Sequence, residues 1–264
     1  MPSPRNNPRV VCTIAARMTS TRLPGKILMP ILGRPALELL VERVKRVPGF
    51  AEIVIATTTN DTDEPVVRLA EKLGCGVFRG SEHDVLGRIA GAVRAAHGDI
   101  LVELTSDNIL ADPAVVRRCL DAYLEGGVDY VANGLVRTYP IGLDVHVFGA
   151  DLLDQVDKAA TAPDDREHIG LYIYQRPKIY RLRNVAAPPE LTWPDLHLTL
   201  DTAADYALLK AVYEGLYPSN PAFTLSDVLS FLRSHPEVAG LNREVKRKKI
   251  INDYFAETGH ALDP

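Results

Sequence analysis

Residues 14–28, I-A-A-R-M-T-S-T-R-L-P-G-K-I-L, join the end of an apolar run to a loop rich in cations. The apolar run extends from Val10 to Ala15, and it predicts a buried parallel strand. The loop behind it contains small hydroxylated residues, a Pro24-Gly25 turn and three cationic side chains, Arg17, Arg22 and Lys26. A buried strand that opens into such a loop is suited to holding a polyphosphate, so the sequence indicates a nucleotide-handling protein.

The loop matches neither of the two common nucleotide fingerprints. The G-x-x-x-x-G-K-[ST] spacing of a Walker A loop is absent, and so is the G-x-G-x-x-G spacing of a dinucleotide-binding turn. Ser20 and the backbone N–H groups of the loop add hydrogen-bond donors for phosphate oxygens, and Ala15 ends the strand beside them. The alternative interpretation is a basic surface loop that makes solvated ion pairs.

Short apolar runs alternate with amphipathic helical patterns through the first half of the chain. The predicted strands are Val10–Ala15, Ile53–Ala56, Gly76–Phe78 and Asp99–Leu104, and the predicted helices are Ala36–Arg46, Pro65–Leu73, Asp84–Ala96 and one that begins at Pro113. Repeated βα units of this kind predict a doubly wound α/β fold, in which helices cover both faces of a mostly parallel sheet.

The regular alternation of strands and helices ends after about residue 126. Further strands are predicted at Tyr130–Asn133, Leu143–Phe148, Tyr180–Asn184 and Leu196–Leu200, with helical segments at Arg166–Tyr174, Thr202–Tyr217 and from Leu225 onward. We therefore expect residues 1–264 to form a single domain, with a small α+β insertion at residues 130–190. The late basic run, Lys246-Arg247-Lys248-Lys249, fits a solvated helix face, because no aromatic residues are interleaved with it.

Composition excludes several classes of protein. The chain has 264 residues, 46% hydrophobic and 24% charged, with a formal net charge of -4, so nothing points to nucleic acid or an anionic membrane. No apolar run approaches the roughly 20 residues of a membrane span. The polar start lacks the apolar centre of a signal peptide, and the three cysteines, Cys12, Cys75 and Cys119, fit buried free thiols. These features predict a cytoplasmic protein.

Two carboxylates follow predicted strands that are far apart in the chain. Asp107 comes after the strand that ends at Leu104, and Asp201 comes directly after Leu200. Ligands of parallel sheets bind outside the carboxyl ends of the strands, so the two carboxylates are candidates to share one crevice and a Mg²⁺ ion. Each also has a local explanation, because Asp201 could cap the next helix and Asp107 could form an Asx-turn.

Three other segments carry candidate binding residues. Arg79, Gly80, Ser81 and Asp84 lie between a short strand and a helix, where they could contact a base or simply cap the helix. Asp144 and His146 alternate with apolar residues and are predicted to share one strand face, which could hold an acceptor or face solvent. Arg166 and His168 could contact an acidic acceptor or form a charged first helical turn.

The combination resembles the SpsF-type spore-coat polysaccharide cytidylyltransferases, which are relatives of the CMP-sugar synthetases. The opening loop A-R-M-T-S-T-R-L-P-G-K carries the resemblance most specifically. Further pieces appear in the family's order up to about residue 217, namely R-G-S-E-H-D-V-L (79–86), S-D-N-I-L-A-D-P (106–113), Y-P-I-G-L-D-V-H-V-F (139–148), R-E-H-I (166–169) and L-T-L-D-T-A-A-D-Y (198–206).

The resemblance implies a glycosyltransferase-A-like nucleotidyltransferase of polysaccharide biosynthesis that uses CTP and Mg²⁺ and releases pyrophosphate. It assigns the triphosphate to Arg17, Arg22 and Lys26, and the metal to Asp107 and Asp201. The turn from Arg79 to Asp84 would lie near the base and ribose. The insertion would bind a small anionic acceptor and build a homodimer, with Asn108, Asp144, His146, Arg166 and His168 on the acceptor side.

Two positions depart from the family's pattern. His146 stands where a carboxylate is usual, as in G-L-D-x-E, and Asn108 replaces a residue that is commonly Cys or Glu. Both departures concern the acceptor rather than the nucleotide. Two alternative functions remain: a glycosyltransferase, for which Asp61-Thr62-Asp63 is the nearest D-x-D pattern, and a non-catalytic nucleotide-binding subunit.

Overall fold

The computed structural model describes residues 8–246, and most of the strands in this part form one sheet. In chain order, the strands are β1 (Val10–Ala15), β2 (Pro30–Ile31), β3 (Arg34–Pro35), β4 (Glu52–Thr58), β5 (Gly76–Gly80), β6 (Ile100–Thr105), β7 (Tyr130–Ala132), β8 (His146–Gly149) and β9 (Leu182–Asn184). The main sheet has the order β5-β4-β1-β6-β8-β7-β9, and β2 and β3 form a separate ribbon.

Helices connect most of these strands. They are α1 (Ala36–Val44), α2 (Glu64–Lys72), α3 (Val85–Ala95), α4 (Pro113–Leu124), α5 (Ala150–Ala159), α6 (Pro163–Glu167), α7 (Leu171–Tyr174), α8 (Ala203–Leu216), α9 (Leu225–Ser234) and α10 (Pro236–Ala239). Short 3₁₀ turns lie at Lys26–Leu28, Asp61–Asp63 and Pro189–Leu191.

The predicted doubly wound α/β architecture is confirmed. Strands β5, β4, β1 and β6 are all parallel, whereas β8 runs antiparallel to both of its neighbours, β6 and β7. The parallel strand β9 then continues the sheet beyond β7. Segment 130–190 thus supplies three strands to the edge of the same sheet rather than a sheet of its own.

Alternate residues of the strands face two separate cores. On one face, Cys12 and Val102 pack among buried residues of α1, α4, α8 and α9. On the other face, Val11 and Leu101 pack against residues of α3 and α5. Because side chains of a strand alternate between faces, each central strand is largely apolar on both sides, as its mostly apolar sequence predicts.

The predicted strand at Leu196–Leu200 is wrong. This segment makes a single isolated bridge, between His197 and Ile141, and otherwise belongs to no strand. The N–H of Leu198 donates to the carbonyl of Ile141, whereas the N–H of Leu200 donates to that of Asp107. Because these amides bond to two different segments, no continuous ladder forms despite the apolar alternation.

Two other predicted elements are shorter or broken. The helical segment predicted at Arg166–Tyr174 is split into α6 and α7, and Gly170 lies between them. A Cβ on Gly170 would stand 2.2 Å from the Tyr130 hydroxyl, so the chain passes too close to β7 there for any residue with a side chain. The strand predicted from Leu143 starts only at His146, because the N–H of Val145 bonds to the side chain of Asn133.

Three further predictions concern the cysteines, membrane spans and the segment after Leu225. Cys12, Cys75 and Cys119 are buried and free, as predicted. Within residues 8–246, no helix is both long and apolar enough to cross a bilayer. The described part of the segment after Leu225 is helical at α9 and α10. Of the predicted basic helix face, only Lys246 lies within the described residues.

Candidate active site

The cationic loop after β1 is held in shape by backbone hydrogen bonds and one buried carboxylate. The N–H of Gly25 donates to the carbonyl of Met18 at 2.9 Å, and Gly25 has a φ of 72°, which favours glycine. On the other side, the N–H of Met18 donates to Asp63 at 2.8 Å. Asp63 is fully buried and also accepts hydrogen bonds from Thr57 and Thr58 at the end of β4. The loop is therefore fastened to the neighbouring strand.

Lys26 brings the two predicted carboxylates together. Its Nζ lies 2.8 Å from Oδ1 of Asp201 and 3.3 Å from Oδ2 of Asp107, and the Lys26 side chain is almost buried. Arg22 also contacts Asp201, at 2.9 Å. Two carboxylates and two cations from three distant segments thus meet at the carboxyl ends of the central strands, where α/β sheets bind ligands.

Backbone contacts explain why Asp201 reaches Asp107. The hydrogen bond from the N–H of Leu200 to the carbonyl of Asp107 is 2.9 Å long and joins the two segments directly. Helix α8 is capped by Thr202, which forms a reciprocal capping box with Asp205. Asp201 is therefore not the cap of this helix, and its side chain is available to the cleft.

Electrostatics keep Lys26 charged. Burial alone would lower the pKa of Lys26, but the charges of Asp107 and Asp201 and their hydrogen bonds outweigh burial and raise the pKa above its ordinary value. The ammonium group lies between two carboxylate oxygens, and this position stabilises a cation. The centre of the cleft accordingly combines fixed positive charge with two carboxylates that can bind a further cation.

Arg17 forms the outer edge of the cluster. Its guanidinium lies 3.3 Å from Glu82, which also accepts hydrogen bonds from Thr19 and, at 2.6 Å, from Asn60. These hydrogen bonds, chiefly the one from Thr19, lower the pKa of Glu82. Each of the three predicted phosphate-binding cations therefore has a carboxylate partner in this structure.

The sequence matches the cytidylyltransferase family model over residues 11–216. The chain belongs to the cytidylyltransferase family. It is 33% identical to the spore coat polysaccharide biosynthesis protein SpsF of Bacillus subtilis over 235 residues, which are 87% of this chain and 96% of that protein. The predicted resemblance to SpsF-type cytidylyltransferases is thus confirmed, and the chain is a nucleotidyltransferase.

Solved structures agree with this membership. A cytidylyltransferase from Leptospira borgpetersenii superposes with a TM-score of 0.83 at 29% identity, covering 92% of this chain and 99% of that one. A CMP:2-keto-3-deoxy-manno-octonic acid synthetase, solved in complex with CTP, has a TM-score of 0.62 at 20% identity. This second match covers 78% of this chain and 99% of that one, and it shows a shared fold.

The cytidylyltransferase carries the predicted base-binding turn at the end of β5, two strands away from β1. The Arg79 guanidinium donates to the carbonyls of Thr58 and Asn60 and pairs with Glu64 at 3.0 Å, so it braces the neighbouring connection between β4 and α2. Ser81 accepts the N–H of His83 at 3.3 Å, and a Cβ on Gly80 would stand 3.1 Å from the Arg88 side chain.

Two residues predicted for different ligands pair with each other. Arg166 donates to both carboxylate oxygens of Asp84, at 2.8 and 2.6 Å, although the two residues are 82 positions apart. Asp84 also caps α3 by accepting the N–H of Gly87 at 2.9 Å, and Arg166 further contacts Asp157 at 2.9 Å. This bidentate contact ties the start of α3 to segment 130–190.

Most of the predicted acceptor residues have side-chain partners in this structure. The prediction that Asp144 and His146 share a strand face is wrong, because Asp144 precedes β8 and its carboxylate pairs with Arg137 at 2.7 Å. The Asn108 amide donates to the carbonyl of Asp144 at 3.5 Å. His146 Nδ1 hydrogen-bonds with the Tyr130 hydroxyl, and His168 is exposed.

Sequence reasoning missed Glu103, a carboxyl group inside the apolar strand β6. Its side chain is buried. Burial, followed by the nearby charges of Asp107 and Asp144, raises the pKa of Glu103 to about 8. One signal was present, since Glu103 is the single charged residue in the strand sequence I-L-V-E-L-T. Asp63 and Glu82, which support the loop, were missed because their partners are distant in sequence.

Proposed function

We propose that this protein transfers CMP from CTP to an oxygen of a small anionic acceptor, such as a sugar acid, phosphate or phosphonate, and releases pyrophosphate in a Mg²⁺-dependent reaction. The observation that carries the proposal is the meeting of Lys26 with Asp107 and Asp201 at the end of the sheet. Such a site can hold a triphosphate and a divalent cation at once.

The donor chemistry of the cleft fits Mg²⁺. In nucleotide sites this ion takes one or two carboxylates and completes its octahedron with phosphate oxygens and water. Asp107 and Asp201 supply two such carboxylates, and residues 8–246 hold no group of three or more acidic, histidine or cysteine side chains that could bind a metal unaided. When bound, Mg²⁺ would offset the negative charge that grows on the leaving pyrophosphate.

The cations of the loop would bind the triphosphate. Arg17, Arg22 and Lys26 each face a carboxylate, and phosphate oxygens of the nucleotide would take over or share these partners. Lys26 is the most buried of the three, so its charge is the least screened by water. Ser20 and the backbone beside Ala15 would add neutral donors along the same loop.

The reaction is an in-line displacement at the α-phosphorus. The acceptor oxygen forms a new P–O bond while the bond to the oxygen that bridges to the β-phosphate breaks, and the electron pair leaves with pyrophosphate. If the attacking oxygen is a hydroxyl, its proton is lost during the attack, whereas an already ionised phosphate, phosphonate or carboxylate needs no base. The positive loop favours the anionic acceptor as well as the leaving group.

The remaining predicted residues complete the assignment. We propose that the turn containing Arg79, Gly80, Ser81 and Asp84 surrounds the base and ribose. Segment 130–190 forms the acceptor and dimerisation region, and the acceptor residues are Asn108, Asp144, His146, Arg166 and His168.

The proposal also covers the pathway, the assembly, the partners and the location of the protein. The name of SpsF supports a role in polysaccharide biosynthesis. The resemblance to SpsF-type cytidylyltransferases supports a homodimer. The net charge of -4 supports partners that are small molecules rather than nucleic acid or a membrane, and we propose a cytoplasmic location.

The glycosyltransferase alternative depends on Asp61-Thr62-Asp63 as its nearest D-x-D metal motif, and Asp63 is not available to a metal. Asp63, the last residue of Asp61-Thr62-Asp63, is fully buried and occupied by hydrogen bonds from Met18, Thr57 and Thr58. Its carboxylate therefore supports the loop instead of facing a ligand.

A pyrophosphate-release screen tests the proposal directly. The four nucleoside triphosphates are crossed with sugar acids, sugar phosphates, phosphonates and polyol phosphates, with and without Mg²⁺. We expect release only with CTP, Mg²⁺ and an anionic acceptor, and loss of release in Asp107→Asn with the fold retained. Asp121→Asn, which changes a half-exposed carboxylate on α4, is the matched control. Equal use of all four nucleotides, or full activity of Asp107→Asn, would refute the proposal.

A further inference from the structure

A row of three polar residues crosses a face of the sheet that is otherwise apolar. Glu103 on β6 lies directly opposite His146 on β8, and on its other side Glu103 is in register with Thr13 on β1. Residues two positions earlier on β1 and β6, Val11 and Leu101, belong to the apolar core under α3. The polar row is therefore the boundary between this core and the cleft.

One member of the row, Thr13, lacks a hydrogen-bond partner among the described residues. Within residues 8–246, the buried hydroxyl of Thr13 has no hydrogen-bond partner, and the buried Glu103 carboxyl stands in register with it on β6. A buried polar group without a partner costs about 1–3 kcal/mol, so it is normally met by water or a ligand. β6 ends two residues before Asp107, so a group bound to the row would lie on the strand that leads to the proposed metal site.

The hydrogen bond to Tyr130 defines what His146 can offer. Tyr130 is fully buried, and its hydroxyl bonds to Nδ1 of His146. A tyrosine that donates to Nδ1 places the ring proton on Nε2, because a neutral imidazole carries one proton. Burial lowers the pKa of His146 to about 4, which keeps the ring neutral. When Tyr130 is the donor, His146 can present an N–H donor, and the protonated Glu103 carboxyl can present its carbonyl oxygen as an acceptor, from facing positions.

We propose that Glu103 and His146 bind a hydroxyl group of the acceptor, which accepts from His146 and donates to Glu103. Directly opposed residues of an antiparallel pair have Cβ atoms about 4.5–5.5 Å apart, which lets both side chains reach one hydroxyl oxygen. An additional anion is disfavoured here because the charges of Asp107 and Asp144 already act on Glu103. The acceptor class is thus a hydroxylated anion whose charged group lies elsewhere, nearer the cationic loop. This inference rests on the proposed function for the identity of the ligand as the acceptor.

The test compares matched probes that differ only in hydroxyl groups. The probes are 2-hydroxyethylphosphonate against ethylphosphonate, and glycerol 3-phosphate against propyl phosphate. Affinities are measured without CTP by isothermal titration calorimetry, and contact with the site is followed by the imidazole NMR signals of His146, assigned by their absence in His146→Gln. We expect the hydroxylated probes to shift these signals and to bind at least about tenfold more tightly than their partners.

Two variants remove the proposed partners of the hydroxyl. Glu103→Leu removes the acceptor from an apolar strand, and His146→Gln moves the donor. Each should reduce the preference for the hydroxylated probes to less than about threefold. Glu71→Leu, which changes an exposed glutamate on α2, is the matched control and should keep the full preference. Circular dichroism checks that all three variants are folded.

The same variants are then assayed for pyrophosphate release. We expect KM for the hydroxylated acceptor to rise about tenfold or more in Glu103→Leu and His146→Gln, while KM for CTP stays within about twofold. A merely structural role would instead move both KM values together.

The outcomes separate the two ideas. Equal binding of each probe pair by the wild type, or an unchanged preference in both variants, would overturn the hydroxyl site even if CTP is turned over. Absence of pyrophosphate release with CTP, together with a preserved hydroxyl preference in the calorimetric titration, would instead refute the proposed reaction and leave the binding site standing.

Discussion

The carboxylate of Asp63 accepts the backbone N–H of Met18 at 2.8 Å, so the acidic turn after β4 holds the cationic loop after β1. The two residues are 45 positions apart, and Asp63 is completely buried. Because the same carboxylate also accepts from Thr57 and Thr58, its orientation is constrained from several sides. The position of Arg17 and Arg22 in the cleft therefore depends on a residue that pairs with neither.

Asp63→Asn should disturb the loop without changing any cation. The amide nitrogen replaces one of the two acceptor oxygens, so it places a donor either against the N–H of Met18 or against the N–H of Thr58. We expect a loss of about 1–3 kcal/mol in the free energy of unfolding. KM for CTP should rise more than kcat falls, because the loop is misplaced rather than discharged. Urea unfolding and steady-state kinetics measure both effects. Asp61→Asn, an exposed neighbour, is the control, and identical behaviour of the two variants would contradict the role of Asp63.

Lys26→Met should remove the buried charge at the centre of the cleft. We expect kcat/KM for CTP to fall by about 10²–10³, since a charge in a shielded site acts strongly on the triphosphate. The loss should also leave Asp107 and Asp201 without their shared partner, so the protein should bind divalent cations at least as well as before. Lys210→Met on α8, a half-exposed lysine 3.7 Å from Glu214, is the control. Wild-type kinetics in Lys26→Met would exclude it from the site.

A double-mutant cycle on Asp84 and Arg166 should show coupling between α3 and segment 130–190. We expect about 1 kcal/mol of coupling in the free energy of unfolding, because the pair is bidentate but Asp84 is partly exposed and screened. Asp84→Ala should lower the free energy of unfolding by about 1 kcal/mol more than Arg166→Ala does, because it also removes the N-cap of α3. The surface pair Arg9 and Glu52, 2.8 Å apart, is the comparison and should show weaker coupling. Additive effects of Asp84→Ala and Arg166→Ala would contradict this link.

Glu103 should make stability fall as the pH rises toward 8. Its pKa in the folded protein is about 8, above the value of about 4.3 for an unfolded glutamate, so the native state holds the extra proton between these values. Stability due to this proton is complete below about pH 4 and is lost as the pH approaches 8, with a slope of at most about 1.4 kcal/mol per pH unit. Urea unfolding of the wild type and Glu103→Gln between about pH 6.5 and 8 measures the difference. Parallel profiles would contradict the buried, protonated carboxyl.

Much of the fold could be predicted because it depends on neighbours in sequence. The apolar run of β1 has the predicted bounds, Val10–Ala15, and α8 starts one residue after Thr202, the residue at which the helix was predicted to begin. Periodicity and capping act over a few residues, so a single sequence displays them. The same holds for the cations of the loop and for the carboxylates that follow strands. The strand prediction for Leu196–Leu200 was wrong, because the partners of this segment are Ile141 and Asp107 rather than one neighbouring strand.

By itself, the sequence determined the kind of sheet, the chemistry of the loop and the family to which the chain belongs. Only the tertiary structure decided which charged groups meet. Lys26 bonds to Asp107, which is 81 positions away, and to Asp201, which is 175 positions away. Arg166 pairs with Asp84. It also set Glu103 against His146 on neighbouring strands. The physical reason is that charge, burial and hydrogen bonding act through space, whereas a sequence records only the order in which the groups occur.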